Sequence, residues 1–90
     1  MSKYKDLIQE AQIDLGNDEV AKAEKILIKE TNAEELRFSW WKVSGNKFIP
    51  RPLDLPEEQW VELFKAAVEN NVVSQEFIKN MIKVLAAGLK

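Results

Sequence analysis

The chain has 90 residues and 10.4 kDa, with 46% hydrophobic and 31% charged residues and a net charge of −2, values that argue for one folded domain over 1–90 and against intrinsic disorder. It contains no cysteine and no histidine, which excludes disulfides, thiol nucleophiles, zinc sites of the usual N/S type, haem ligation by those residues and His-centred acid–base catalysis. No metal and no cofactor is expected.

The first residues, Met1 to Asp6, alternate charged with apolar side chains, so no signal-peptide hydrophobic region is read there. Nor is any apolar run near the roughly 20 residues of a spanning helix. A cytoplasmic protein is the expected setting, in keeping with the lack of cysteine.

The residue spacing predicts an α+β, mainly helical protein. Tyr4, Leu7, Ile8, Ala11 and Leu15 recur at three- and four-residue steps, one face of a helix over 2–15 with Ser2 as N-cap and Gly16 as its stop. Asn17 is read as the cap of a second helix to about Glu30, with Val20, Ala23 and Leu27 buried and Asp18 four residues before Lys22. The short connection makes the two an antiparallel pair.

In the middle, Leu36, Phe38 and Trp40 alternate with Arg37 and Ser39. Ser44-Gly45-Asn46 reads as a turn and Lys47-Phe48-Ile49 as a second strand stopped by Pro50, giving a β-hairpin over about 36–49. The alternative is an all-α chain with a third helix over about 33–44, begun by Asn32 and Glu35 as a capping box.

Two C-terminal helices follow. Asp54 and Glu57 make a capping box ahead of Trp60, Val61, Phe64, Ala67 and Val68, and Asn70-Asn71 supplies a left-handed stop. Ser74 caps the last helix, with Val73 and Ile78 as its hydrophobic staple. The wide apolar face of Phe77, Ile78, Met81, Ile82, Leu85 and Leu89 makes this helix the expected centre of the fold, and Gly88 ends it.

Charge is unevenly placed. Residues 36–53 hold Arg37, Lys42, Lys47 and Arg51 and no acid, whereas the segments on either side are net negative. Four aromatic residues, Phe38, Trp40, Trp41 and Phe48, lie within this basic segment. On a strand, adjacent tryptophans point to opposite faces, so Trp40 is placed inside with Leu36 and Phe38, and Trp41 outside beside Lys42.

An exposed tryptophan ringed by cations has the composition of a binding hot spot. Trp41, Arg37, Lys42, Lys47 and Arg51 are therefore the candidate partner-binding residues. A packed aromatic pair with a lysine or arginine stem over the indole is the competing structural reading.

With three glycines, no phosphate-cradling loop and no nucleotide signature, an enzyme is not expected. The leading expectation is a small cytoplasmic interaction or regulatory module that binds an acidic protein partner. The alternatives are a weak nucleic-acid binder using the segment as a wing or β-ribbon, and a homo-oligomer held by the apolar face of the last helix.

Overall fold

The computed structural model describes residues 5–90. Four strands precede two helices: β1 (Lys5–Gly16), β2 (Glu19–Ile28), β3 (Ala33–Lys42), β4 (Lys47–Ile49), α1 (Glu57–Glu69) and α2 (Gln75–Ala87). The strands form one antiparallel sheet in the order β1-β2-β3-β4.

At 41% strand and 30% helix, the molecule is not the mainly helical one expected, and the two N-terminal helices are β1 and β2. A third helix over 33–44 is excluded as well, because β3 pairs with β2 on one side and β4 on the other. The proposed cap at Ser2 and the burial of Tyr4 lie outside the described residues.

The physical reason for the first error is in the register. Ala11 and Ile13 face Ala23 and Ala21 across β1 and β2, a period-two pattern. Irregularities between Leu7 and Gln9 and between Asp14 and Gly16 each insert an extra residue in β1. Those bulges shift the alternation, so Leu7, Ile8, Ala11 and Leu15 acquire helical spacing without a helix.

Strand β2 adds a second conflict, since its alanines, glutamates and lysines favour helices in isolation and tertiary packing overrides them. The Gly16-Asn17-Asp18 signal was also open to two readings. Asn17 and Asp18 have φ of 52° and 64°, so they form a two-residue hairpin turn with both central residues left-handed, instead of a helix stop followed by a cap.

Helix α1 lies against β1 and β2. Leu63 and Ala67 are fully buried on Ala11, Ala21 and Ala23, joined by Val72 and Val73 from the α1–α2 connection. Small strand residues let the helix approach the sheet closely. Phe38 extends this core, with its ring centroid 5.9 Å from Trp60 and 5.3 Å from Phe64.

Helix caps differ in part from expectation. Pro56 is the N-cap of α1 and no side chain caps it, so Asp54 and Glu57 do not form a capping box; Pro56 places the helix start two residues past Asp54. Ser74 does cap α2, its Oγ accepting from the Phe77 N–H at 3.1 Å. Asn71, at φ 57°, makes the left-handed stop after α1.

Helix α2 is not central. None of its residues is buried, and none of its Cα atoms comes within 8 Å of another strand or helix. Its apolar face was read correctly as a stripe, but a stripe does not say which surface covers it.

The alanine seam makes a test. Leu63→Ala should lower unfolding free energy by about 2–5 kcal/mol, since the backbone around a fully buried side chain cannot fully collapse. Ala21→Leu should cost about 1–3 kcal/mol by forcing α1 off the sheet. Urea denaturation followed by circular dichroism measures both; a neutral Ala21→Leu would contradict the close approach.

Candidate functional site

The register assigns each strand residue to a face, because directly opposed residues share one. Ala21, Trp40 and Ile49 form one row on the helix-bearing face, with Lys42 and Lys47 opposed in the next. Across the sheet, Asp14, Val20, Trp41 and Phe48 line up on the other face. The two tryptophans thus point apart. Both are half-buried, so neither ring is enclosed.

No helix Cα approaches β3 or β4 within 8 Å. The β3–β4 hairpin therefore extends beyond the part of the sheet that α1 covers. Its turn is pinned to the β1–β2 turn: the Val43 N–H donates to the Asp18 carbonyl at 2.9 Å, and the Ser44 N–H donates to both Asp18 carboxylate oxygens at 3.2 Å. Gly45 and Asn46 take φ of 76° and 47° to close the turn. The hairpin is held at its tip by hydrogen bonds and at its base by the sheet.

Trp41 is fixed in place by three neighbours. Its Nε1–H donates to Ser39 Oγ at 2.8 Å, the Lys22 ammonium lies 4.2 Å from the ring centroid, and Phe48 meets it edge-on at 5.6 Å and 69°. Phe48 is itself 51% exposed. Trp40 is held differently, its Nε1–H donating to Glu19 Oε1 at 3.0 Å.

Beneath Trp41 runs a polar network. Ser39 Oγ donates to Glu24 Oε1 at 3.4 Å, and the same oxygen accepts from Arg37 Nε at 3.0 Å, with Nη2 at 2.9 Å. Glu24 is only 3% exposed, so its charge is satisfied almost wholly by Arg37. Arg37 is thereby committed to Glu24 on the sheet face, with its side chain 36% exposed.

The five sequence-derived site residues are thus divided among three places. Trp41 and Arg37 share one face, with Arg37 paired to Glu24. Lys42 and Lys47 oppose each other on the other face, both exposed and without an ion pair among the described residues. Arg51 is exposed just past β4, its N–H donating to the Ile49 carbonyl at 2.8 Å.

Two contributors were missed as site residues. Phe48 belonged to the aromatic set, and its three-residue strand beside Pro50 was a signal for an exposed edge. Lys22 gave no such signal, because its place over Trp41 depends on the long-range pairing of β2 with β3. No protein-family model, curated protein or solved structure matches this chain.

The Glu24–Arg37 pair yields a second test. Arg37→Ala leaves a buried carboxylate with only a serine hydroxyl, and should cost about 3–5 kcal/mol of stability. Replacing both with similarly sized apolar residues, Glu24→Leu with Arg37→Met, should cost markedly less. A double-mutant cycle by chemical denaturation checks this; additive losses would show that the two side chains are not coupled.

Proposed function

We propose that this chain is a small binding module, acting by occupancy and not by turnover, whose β3–β4 hairpin docks on an acidic protein segment. The observation that carries the reading is Phe48, exposed and set edge-on against a fixed Trp41 at the rim of the sheet. Rigid aromatic anchors near cations are what interface hot spots use, since little side-chain freedom remains to be lost on binding.

Charge supports the same reading. Lys42 and Lys47 are directly opposed at the open end of the sheet, both exposed, with Glu19 opposite Lys42 on β2. Arg51, between Pro50 and Pro52, is a stiffly presented third cation, and Lys22 adds a fourth on the Trp41 face. An acidic partner would be steered to this end of a molecule that is otherwise net negative. The setting proposed is the cytoplasm, whose reducing conditions suit a cysteine-free chain.

A nucleic-acid strand would meet the same residues, with a base stacked on a ring and phosphates on lysines. One observation weighs against it. Lys22 already lies over the Trp41 ring, and Phe48 stands at 69° to it, so the rings form no common stacking surface.

The test is binding to an array of synthetic peptides rich in Asp and Glu with interspersed Leu and Phe, alongside titration with single-stranded oligothymidylate. Peptides should bind, and Phe48→Ala should weaken the best of them about tenfold, as should Lys42→Glu with Lys47→Glu. Trp41→Ala belongs beside them, read only with an unfolding curve because Trp41 also packs. Tighter binding to the oligonucleotide at ~50 mM salt, fading steeply as salt rises, would move the assignment to nucleic acid. If the best peptides bind Phe48→Ala and the charge-reversed chain as tightly as wild type, the hairpin is not the docking site.

A further inference from the structure

Strand β3 is paired along the whole of one side and only part of the other. Every residue from Ala33 to Lys42 opposes β2, whereas β4 meets only Trp40, Trp41 and Lys42. Pro50 and Pro52 cannot donate to a ladder, and among the described residues no backbone hydrogen bond joins 50–56 to β3. Residues 33–39 are therefore an open edge. Backbone groups alternate sides along a strand, and the Val43 N–H donates to the Asp18 carbonyl in line with the β2–β3 register. Odd-numbered residues of β3 thus address β2, and Glu34, Leu36 and Phe38 turn their N–H and C=O groups outward.

Sheet edges are normally guarded against further pairing. The other long edge, β1, is broken by two register shifts and carries Asp6, Glu10 and Asp14. Strand β4 has three residues and ends at Pro50. Residues 33–39 have none of these devices. Their pairing with β2 runs without a register shift, they include no proline and no lysine, and their charges are of both signs.

We infer that this edge is a dimer interface, where β3 of a second copy adds antiparallel and joins the two sheets into one. The segment itself names the occupant. Opposed residues share a face, so a two-fold axis across the edge passes through one residue of β3 and opposes it to its own copy. At Glu34, Glu35 or Arg37 the axis would set like charges together, and beyond Leu36 the second copy would run into β4. At Leu36 it sets leucine against leucine, and Glu35 against the partner's Arg37 on both sides of the axis. Leu36 is also the midpoint of 33–39, so this register uses the full edge of both copies. The partner's Ala33 then reaches Ser39, and the left-handed turn at Asn32, φ 57°, carries that chain away just where β4 begins. Charge and length choose the same register independently.

The side chains are placed for it. Arg37 uses Nε and Nη2 on Glu24, which leaves Nη1 for a second carboxylate. Glu35 is exposed and has no ion pair among the described residues. Helix α2 leaves the edge accessible from above, since none of its Cα atoms lies within 8 Å of β3 and Leu36, Val73 and Phe77 border an open hollow of about 200 Å³. The interface leaves Phe48 and the hairpin turn uncovered, so it stands apart from the docking site proposed above.

Sedimentation equilibrium and amide hydrogen exchange of the full chain test the inference together. The expected mass is twice 10.4 kDa at micromolar concentrations. The Glu34, Leu36 and Phe38 amides should be protected in the dimer and exchange faster as dilution releases the monomer. Glu34→Pro alters an exposed residue whose N–H has no strand partner in one protomer, and should weaken the dimer about a hundredfold because the contact occurs twice. Glu35→Arg makes both pairs with the partner's Arg37 repulsive, for a loss of about tenfold, and keeps the test decisive if Glu34→Pro does not fold. A dimer whose Glu34, Leu36 and Phe38 amides exchange as fast as those of the monomer uses another surface and overturns the assignment. So does a chain still monomeric at ~100 μM, or a dimer that Glu35→Arg leaves at wild-type affinity.

Discussion

The close approach of α1 to the sheet governs the rest of the architecture. Alanines at 11, 21 and 23 leave a shallow trough on β1 and β2, and Leu63 and Ala67 fill it completely. Had those strand positions been large, the helix would have been held further out and its hold on the sheet weakened. Because the trough lies on the first two strands, α1 settles there, and β3 and β4 extend past it. The Phe38, Trp60 and Phe64 rings close the margin where the trough ends. One packing decision thereby creates both the covered half of the sheet and the uncovered hairpin.

The hairpin's chemistry is set by what the sheet pairs together, and sequence neighbours reveal only part of it. The basic, aromatic character of residues 36–53 was legible directly, as was the separation of Trp40 and Trp41 onto opposite faces. The fate of Arg37 was not. Its carboxylate partner lies thirteen residues earlier, on a segment that helix-favouring residues disguised. Once β2 is a strand, Glu24 falls directly opposite Arg37, and Lys22 falls opposite Ser39, within reach of the neighbouring indole. Four clustered cations in the sequence become three presented ones, with a fourth recruited from β2.

The N-terminal half was misread for a local reason. Gly16, Asn17 and Asp18 favour left-handed backbone, and both a helix stop and a tight hairpin require that conformation. Bulges beside them broke the alternation that would have decided between the two. Helix starts were read better where a side chain supplies the cap, as at Ser74, than at Pro56, where ring geometry and not a capping hydrogen bond begins the helix. Local chemistry was legible where a residue does one thing, and ambiguous where the same residue serves two motifs.

The apolar stripe of α2 takes this argument one step further. Periodicity establishes that a helix has an apolar side, but the surface that meets it can belong to the same chain or to another. Within the chain only the first part of the stripe, Phe77 and Ile78, packs against the core, while Ile82 and Leu85 stay exposed.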